Sequence, residues 1–299
     1  MVRDNAIWKD GVTMAEYILE NEELKVTFNS HGAELRSVVD KKTGYEYMWQ
    51  ADPAFWGRTS PVLFPVVGNY RDRKTVYKGK EYFLSQHGFA RDSEFEMRAA
   101  GDNGICFKLT ESPETLENYP FEFELYIRYI LDGRKLYVNW KVKNTNDEEM
   151  YFSIGAHPAF NANLDTDELL LDTSDIIVSE ILTKGGTVSK RTKTLPVKDG
   201  KLKMSDELFS EDVLIIYRND MKYISVLENG EREKVRVEFE APVVGIWSPV
   251  GKHAPFVCIE PWYGRADRED YDYQLENREY GNTLSPGETF EKGYNISFF

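Results

Sequence analysis

The sequence predicts an all-β chain folded as one large antiparallel sandwich over residues 1–299. Apolar residues alternate with period two along much of the chain, turn dipeptides separate the alternating runs, and helical periodicity is scarce. In chain order, "LKVTFNSHGAELRSV" from Leu24 reads as strand. "SPETLENYPF" holds one short helical turn. In "FEFELYIRYI" the side chains of Phe121, Phe123, Leu125, Ile127 and Tyr129 share one face. Asp132-Gly133 then gives a turn signal, and Leu136, Val138, Trp140 and Val142 resume the alternation, which makes a β-hairpin with one face buried. The polar stretch from Lys184 to Lys203 is the expected long loop, with strand-like pieces inside it. "KYISVLENGEREKVRVEFE" repeats the hairpin pattern, with Asn229-Gly230 as the turn and Val235, Val237 and Phe239 on the far strand. The closing "YNISFF" is a last strand. No linker, repeat or low-complexity tract divides the chain, so a single domain is expected.

Composition narrows the function classes. At 299 residues, 41% hydrophobic and 29% charged, the chain can bury a large core and has an ordinary soluble balance. No apolar run approaches the roughly 18–20 residues of a membrane helix. The opening "MVRDNAIWKDG" lacks the apolar core of a signal peptide, so a cytoplasmic location is expected and no membrane partner. A net charge of −14 repels phosphate backbones, which argues against nucleic-acid partners. Two cysteines, Cys106 and Cys258, fit a reducing compartment and form neither a disulfide framework nor a cysteine-based zinc site. The four histidines show no short ligand spacing, so no metal is expected. Aromatics at 14% are explained first by strand propensity and second by sugar stacking.

Four segments set polar groups in apolar or turn-rich surroundings: "QHGFAR", "SIGAHPAF", "SEDVLIIY" and "FVCIEPWYG". In the last, an apolar run delivers Glu260, Pro261 is expected to stop the strand ladder, and Trp262 and Tyr263 offer a shielded wall. Desolvation of such a carboxylate raises its pKa and makes it a base near neutrality, although a structural carboxylate capping a turn fits equally. His157, between Gly155 and Pro158, is either a satisfied core group or an acid–base group. His31 and His253, among charges and loop residues, take structural roles. Arg58 and Arg91 have forked guanidiniums suited to hydroxyls, carboxylates or phosphates, and each taken alone is an ordinary surface ion-pair residue. Nucleophile elbows, phosphate loops and dinucleotide fingerprints are absent, and Cys258 sits in an apolar strand where a thiol is usually inert packing.

Together and in this order the segments resemble the aldose 1-epimerase (galactose mutarotase-like) superfamily. The likeness is greatest to its bacterial branch associated with lactose operons and looser to the hexose-6-phosphate mutarotases. It runs from about Leu24 to the C-terminus and rests on "HGAELRSV", "RTSPVLFPVVG", "QHGFARD", "SIGAHPAF", "LFSEDVLIIY" and "GIWSPVGKHAPFVCIEPWYGRADR". The resemblance implies a β-supersandwich and cofactor-free interconversion of the α and β anomers of a free aldohexose. It implies Glu260 as the base at the anomeric hydroxyl, His157 as the acid at the ring oxygen and His87 as a hydrogen-bond donor near that oxygen. It implies Asp212 as a ligand of sugar hydroxyls, with Arg58 and Arg91 at the far end of the sugar. Relatives often carry an arginine directly after the glycine of "FPVVG"; here Asn69 stands there and Arg71 follows.

Three other readings compete. A hexose 6-phosphate is the rival substrate, because an arginine after "HG" contacts phosphate in the sugar-phosphate branch. A non-catalytic carbohydrate-binding protein would keep the pocket without the reaction. A glycosidase could use Asp212 and Glu260 as a carboxylate pair, but would leave both histidines without a role. A small-molecule sugar is the expected partner in the first two, and a homodimer is compatible with all of them.

Overall fold

A computed structural model describes residues 3–9, 12–173 and 176–299, with side chains from residue 15 onward. Both ends of the "MVRDNAIWKDG" segment read for a leader lie outside the described residues. Among the described residues, no helix is long and apolar enough to cross a membrane.

The hairpin legible in the sequence pairs Phe123–Asp132 with Lys135–Asn144 in an uninterrupted antiparallel register from Phe123↔Asn144 to Asp132↔Lys135. It forms part of a nine-stranded sheet that also contains the Tyr223–Glu228 and Arg232–Phe239 hairpin and the closing Thr289–Phe298 strand. Its inward residues, Phe123, Leu125, Ile127, Val138 and Trp140 among them, are no more than 1% exposed. A second sheet, of eight strands, is centred on Phe256–Tyr263, flanked by Val243–Trp247 on one side and Ile154–Ala156 on the other. The sheets share one core: Val257, Ile259 and Tyr263 belong to the same apolar cluster as the hairpin residues, and Trp140 meets Tyr263 edge-on at 6.2 Å. A four-stranded N-terminal sheet joins that core through Phe28, whose ring lies 4.5 Å from that of Tyr129. Every pairing between these strands is antiparallel, giving the large antiparallel sandwich expected.

Two local expectations are revised and one, the short helical turn in "SPETLENYPF", is met. Pro261 does not end its strand: Val244↔Pro261 and Val243↔Trp262 continue the register, and the strand runs to Tyr263. Proline costs a ladder at most one donor, and its φ suits an extended chain. The Lys184–Lys203 stretch carries the strands Val188–Thr194 and Lys201–Lys203, so half of it is strand rather than loop. The one α-helix among the described residues is Pro113–Asn118, where Ser112 and Thr115 form a reciprocal capping box.

The period of the central strand builds the site. With Val257, Ile259 and Tyr263 turned into the shared core, Phe256, Cys258, Glu260 and Trp262 face the opposite way. Trp262 lies flat across two glycines of the neighbouring strands, where an added Cβ would fall 2.7 Å from the indole at Gly155 and 2.5 Å from it at Gly245. Gly155→Ala and Gly245→Ala are therefore each expected to destabilise the protein by about 1–3 kcal/mol through forced movement of the ring. Denaturant unfolding followed by tryptophan fluorescence checks this, and midpoints unchanged from wild type would refute it.

Candidate active site

His87, His157, Asp212, Glu260 and Arg91 converge on one hollow of 230 Å³, walled by Trp56, Trp247 and Trp262. That volume lies below the roughly 300–1,000 Å³ of sites for drug-sized ligands and is on the scale of a single sugar ring. Glu260 is 1% exposed, and its Oε2 lies 3.3 Å from His157 Nε2. Despite that proximity, neither carboxyl oxygen reaches hydrogen-bond geometry with any protein group. A carboxyl held in this way is an exception to the rule that buried polar groups are satisfied, and it marks a place for a ligand.

Burial, reinforced by the charge of Asp212, pushes the Glu260 carboxyl well above the usual carboxylate range, and the Trp262 indole N–H only partly offsets it. Burial acts oppositely on His157, lowering it to about 3, with Arg91 and Arg58 adding to the effect. Its ring stacks on Trp56 at 4.7 Å, and its buried Nδ1 finds only its own main chain, in a geometry too poor to count as a hydrogen bond. Both members of the pair thus favour their neutral forms, and together they hold one proton.

His87 is fixed differently. Its backbone N–H donates to the Gly68 carbonyl at 2.8 Å, and the Gly68 N–H donates to its Nδ1 at 3.1 Å. An accepting Nδ1 leaves the proton on Nε2, so His87 is a neutral donor. Burial, then the neighbouring His157 and Arg91, drive its pKa well below the ordinary value, which keeps it in that state. The "QHGF" and "FPVVG" segments are closely zipped together. Gly88 has φ +71°, and an added Cβ would sit 2.3 Å from the Phe64 carbonyl oxygen, so only glycine lets His87 approach. Asp212, in the left-handed region at φ 73°, stands exposed at the mouth of the hollow.

Arg58 does not line this hollow. It borders an adjoining polar basin of 870 Å³ that shares Trp56 and Arg91 with it, and it donates to Asp92 at 2.8 Å. Arg91 donates to the Gln86 carbonyl at 2.6 Å, and its buried Nε has no hydrogen bond. Of the expected wall, Trp262 is present, but Tyr263 turns into the core because adjacent strand residues point to opposite faces. Sequence reasoning missed Trp56 and Trp247, which lie in turn-rich and strand segments that give no separate signal. Arg71 is a structural tie, donating to the Tyr271 carbonyl at 2.6 Å, and Asn69 is buried against Gly186. His31 faces Glu94 at 3.6 Å, and His253 bridges Asp165 and Asp206, so both have structural partners.

Known proteins are similar to this chain in both sequence and fold. The family model described as aldose 1-epimerase matches residues 16–297. Protein LacX of Lactococcus lactis subsp. lactis, in its plasmid form, is 31% identical over 294 residues, covering 93% of this chain and 98% of that protein. The crystal structure of a galactose mutarotase related enzyme from Lactobacillus acidophilus superposes with a TM-score of 0.90 at 38% identity, covering 95% and 97% of the two chains. The galactose mutarotase of Homo sapiens is 25% identical over 200 residues, 56% of this chain and 58% of that protein.

Proposed function

The chain belongs to the aldose 1-epimerase family, and on that footing we propose that it interconverts the α and β anomers of a free aldohexose. Glu260 and His157 are the groups that move the protons. The single observation that carries this reading is their 3.3 Å separation inside a sugar-sized hollow, with both carboxyl oxygens left without hydrogen bonds.

The chemistry needs one donor and one acceptor, and nothing is consumed. As Glu260 takes the proton of the anomeric hydroxyl, His157 gives one to the ring oxygen. The C1–O5 bond breaks and the free aldehyde forms. Rotation about C1–C2 and reversal of both transfers close the ring on the other face. In the empty site the one proton of the pair rests on Glu260; its passage to His157 Nε2 creates the carboxylate and imidazolium that ring opening uses. His87 Nε2–H, fixed as a donor, stabilises charge developing on a sugar oxygen. Asp212 and Arg91 orient the ring, since misalignment would cost both transfers. His87→Asn is expected to lower kcat on the order of a hundredfold, the scale of losing one fixed donor, without moving the pH profile. A loss below twofold, or a shifted profile, would contradict that role.

Exchange NMR between the anomers of glucose and galactose, with and without protein, tests the reaction itself. The pair titrates as a unit, so pH gives a second check. The active form carries one proton. It gains a second only below the depressed pKa of His157, about 3, and loses its last above the raised pKa of Glu260. Hence kcat/KM is expected to show no acid limb near pH 6.5, where an ordinary histidine titrates, and to fall only as pH rises through the raised value of Glu260. An acid limb centred near pH 6.5 would contradict this assignment.

A hexose 6-phosphate is the second reading, favoured by Arg91 at the edge of the hollow, whose buried Nε makes no hydrogen bond and faces Asp92 at 3.6 Å. It predicts inhibition by inorganic phosphate that Arg91→Ala relieves. Absence of phosphate inhibition would leave the free sugar as the substrate.

A further inference from the structure

No step of the proposed reaction uses the thiol of Cys258. It stands two residues before Glu260 on the central strand, so the alternation of the strand sends thiol and carboxyl to the same face. Cys258 is fully buried and Glu260 is 1% exposed. One ligand-capable atom from each of His157, Cys258 and Glu260 lies within 4.8 Å of the other two. The His157 Nε2 and Glu260 Oε2 pair, at 3.3 Å, already matches the roughly 3.5 Å between ligands held ~2.0–2.3 Å from a tetrahedral zinc ion. An observation independent of the cysteine points to the same place: both Glu260 oxygens are buried and without a hydrogen bond.

We propose that His157, Cys258 and Glu260 form a binding site for a thiophilic divalent cation of the Zn²⁺ and Cd²⁺ class, and that its occupancy switches the enzyme off. The ion takes an imidazole nitrogen, a carboxylate oxygen and a thiolate sulfur. The thiol proton and the proton resting on Glu260 both pass to solvent as the metal–sulfur and metal–oxygen bonds form. Two anionic ligands offset the two charges of the ion in an interior that would accept neither alone. Sulfur and nitrogen donors select this class over Mg²⁺ and Ca²⁺, which prefer oxygen ligands. The hollow lined by Asp212, exposed at its mouth, gives the ion its route. The binding claim stands on the side-chain geometry alone; only the inhibition rests on the proposed roles of His157 and Glu260.

The test uses a Cys106→Ser background, which removes the half-exposed second thiol. Cd²⁺ titration is read by the ultraviolet thiolate-to-metal charge-transfer band, and anomer exchange is followed at chelator-buffered free Zn²⁺. The expected result is a band that saturates at one equivalent, exchange inhibited by micromolar Zn²⁺ and restored by EDTA, and no effect of Mg²⁺. Cys258→Ala should keep basal exchange, lose the band and weaken Zn²⁺ inhibition at least about tenfold. Glu260→Gln, which keeps the thiol, should weaken Cd²⁺ binding as well. A missing band, or inhibition unchanged in Cys258→Ala, overturns the site. Absence of exchange in the metal-free protein would instead sink the epimerase reading, and the Cd²⁺ band would still decide the site.

Discussion

Glu260→Gln is expected to slow anomer interconversion by about 10²–10⁴-fold, the range spanned by a positioned acid–base group. The amide keeps the size and place of the side chain but cannot accept the anomeric proton. Stability should move the other way. The folded-state pKa of Glu260 is raised above the ordinary glutamate value of 4.5, chiefly by burial. The native state therefore keeps its proton over a range in which the unfolded chain has lost its own. Wild-type stability falls as pH rises from 4.5 towards the folded value and stays lowered beyond it. Glutamine does not titrate, so the variant should unfold at a temperature equal to or above that of wild type near neutrality. A variant both inactive and markedly less stable would indicate a structural carboxyl rather than a catalytic one.

His157→Asn should lose a comparable factor, because its imidazole is the group held 3.3 Å from Glu260 to return a proton to the ring oxygen. Its stability signature has the opposite pH sense. The folded-state pKa of His157 is lowered from 6.5 to about 3, again by burial first. Between those values the unfolded chain binds the proton and the native state does not, so wild-type stability falls as pH drops through this window. Asparagine removes that acid sensitivity, while loss of the ring stacked on Trp56 at 4.7 Å lowers stability at every pH. Thermal unfolding at pH 7 and pH 5 separates the effects: the gap between variant and wild type should narrow at pH 5, and a constant gap would contradict the depressed pKa.

Much of the fold was legible because strands advertise their buried face. Phe123 to Tyr129 and Leu136 to Val142 alternate without a break, and Asn229 and Gly230 adopt the left-handed φ values their turn requires, 51° and 70°. Central strands are harder to read. Phe256–Tyr263 is buried on both faces, so its sequence lacks alternation, and Pro261 resembled an end where the ladder continues. The same strand explains why Tyr263 resembled a wall residue while its side chain serves the core. His87, His157, Asp212 and Glu260 were found because each sits in turn-rich or apolar surroundings that give a polar side chain a purpose. Arg58 shared that signal but spends its guanidinium on Asp92 beside a different basin. The grouping of His157, Cys258 and Glu260 left no trace in sequence spacing, because the fold alone brings residue 157 to residues 258 and 260.

The most direct test of the account is the anomer exchange rate of the double variant Glu260→Gln/His157→Asn beside its two parents. Groups that share one proton act as a unit, so the double variant should be about as slow as the worse single variant. Losses that multiply, or a single variant that retains the wild-type rate, would show that the two side chains do not work as a pair.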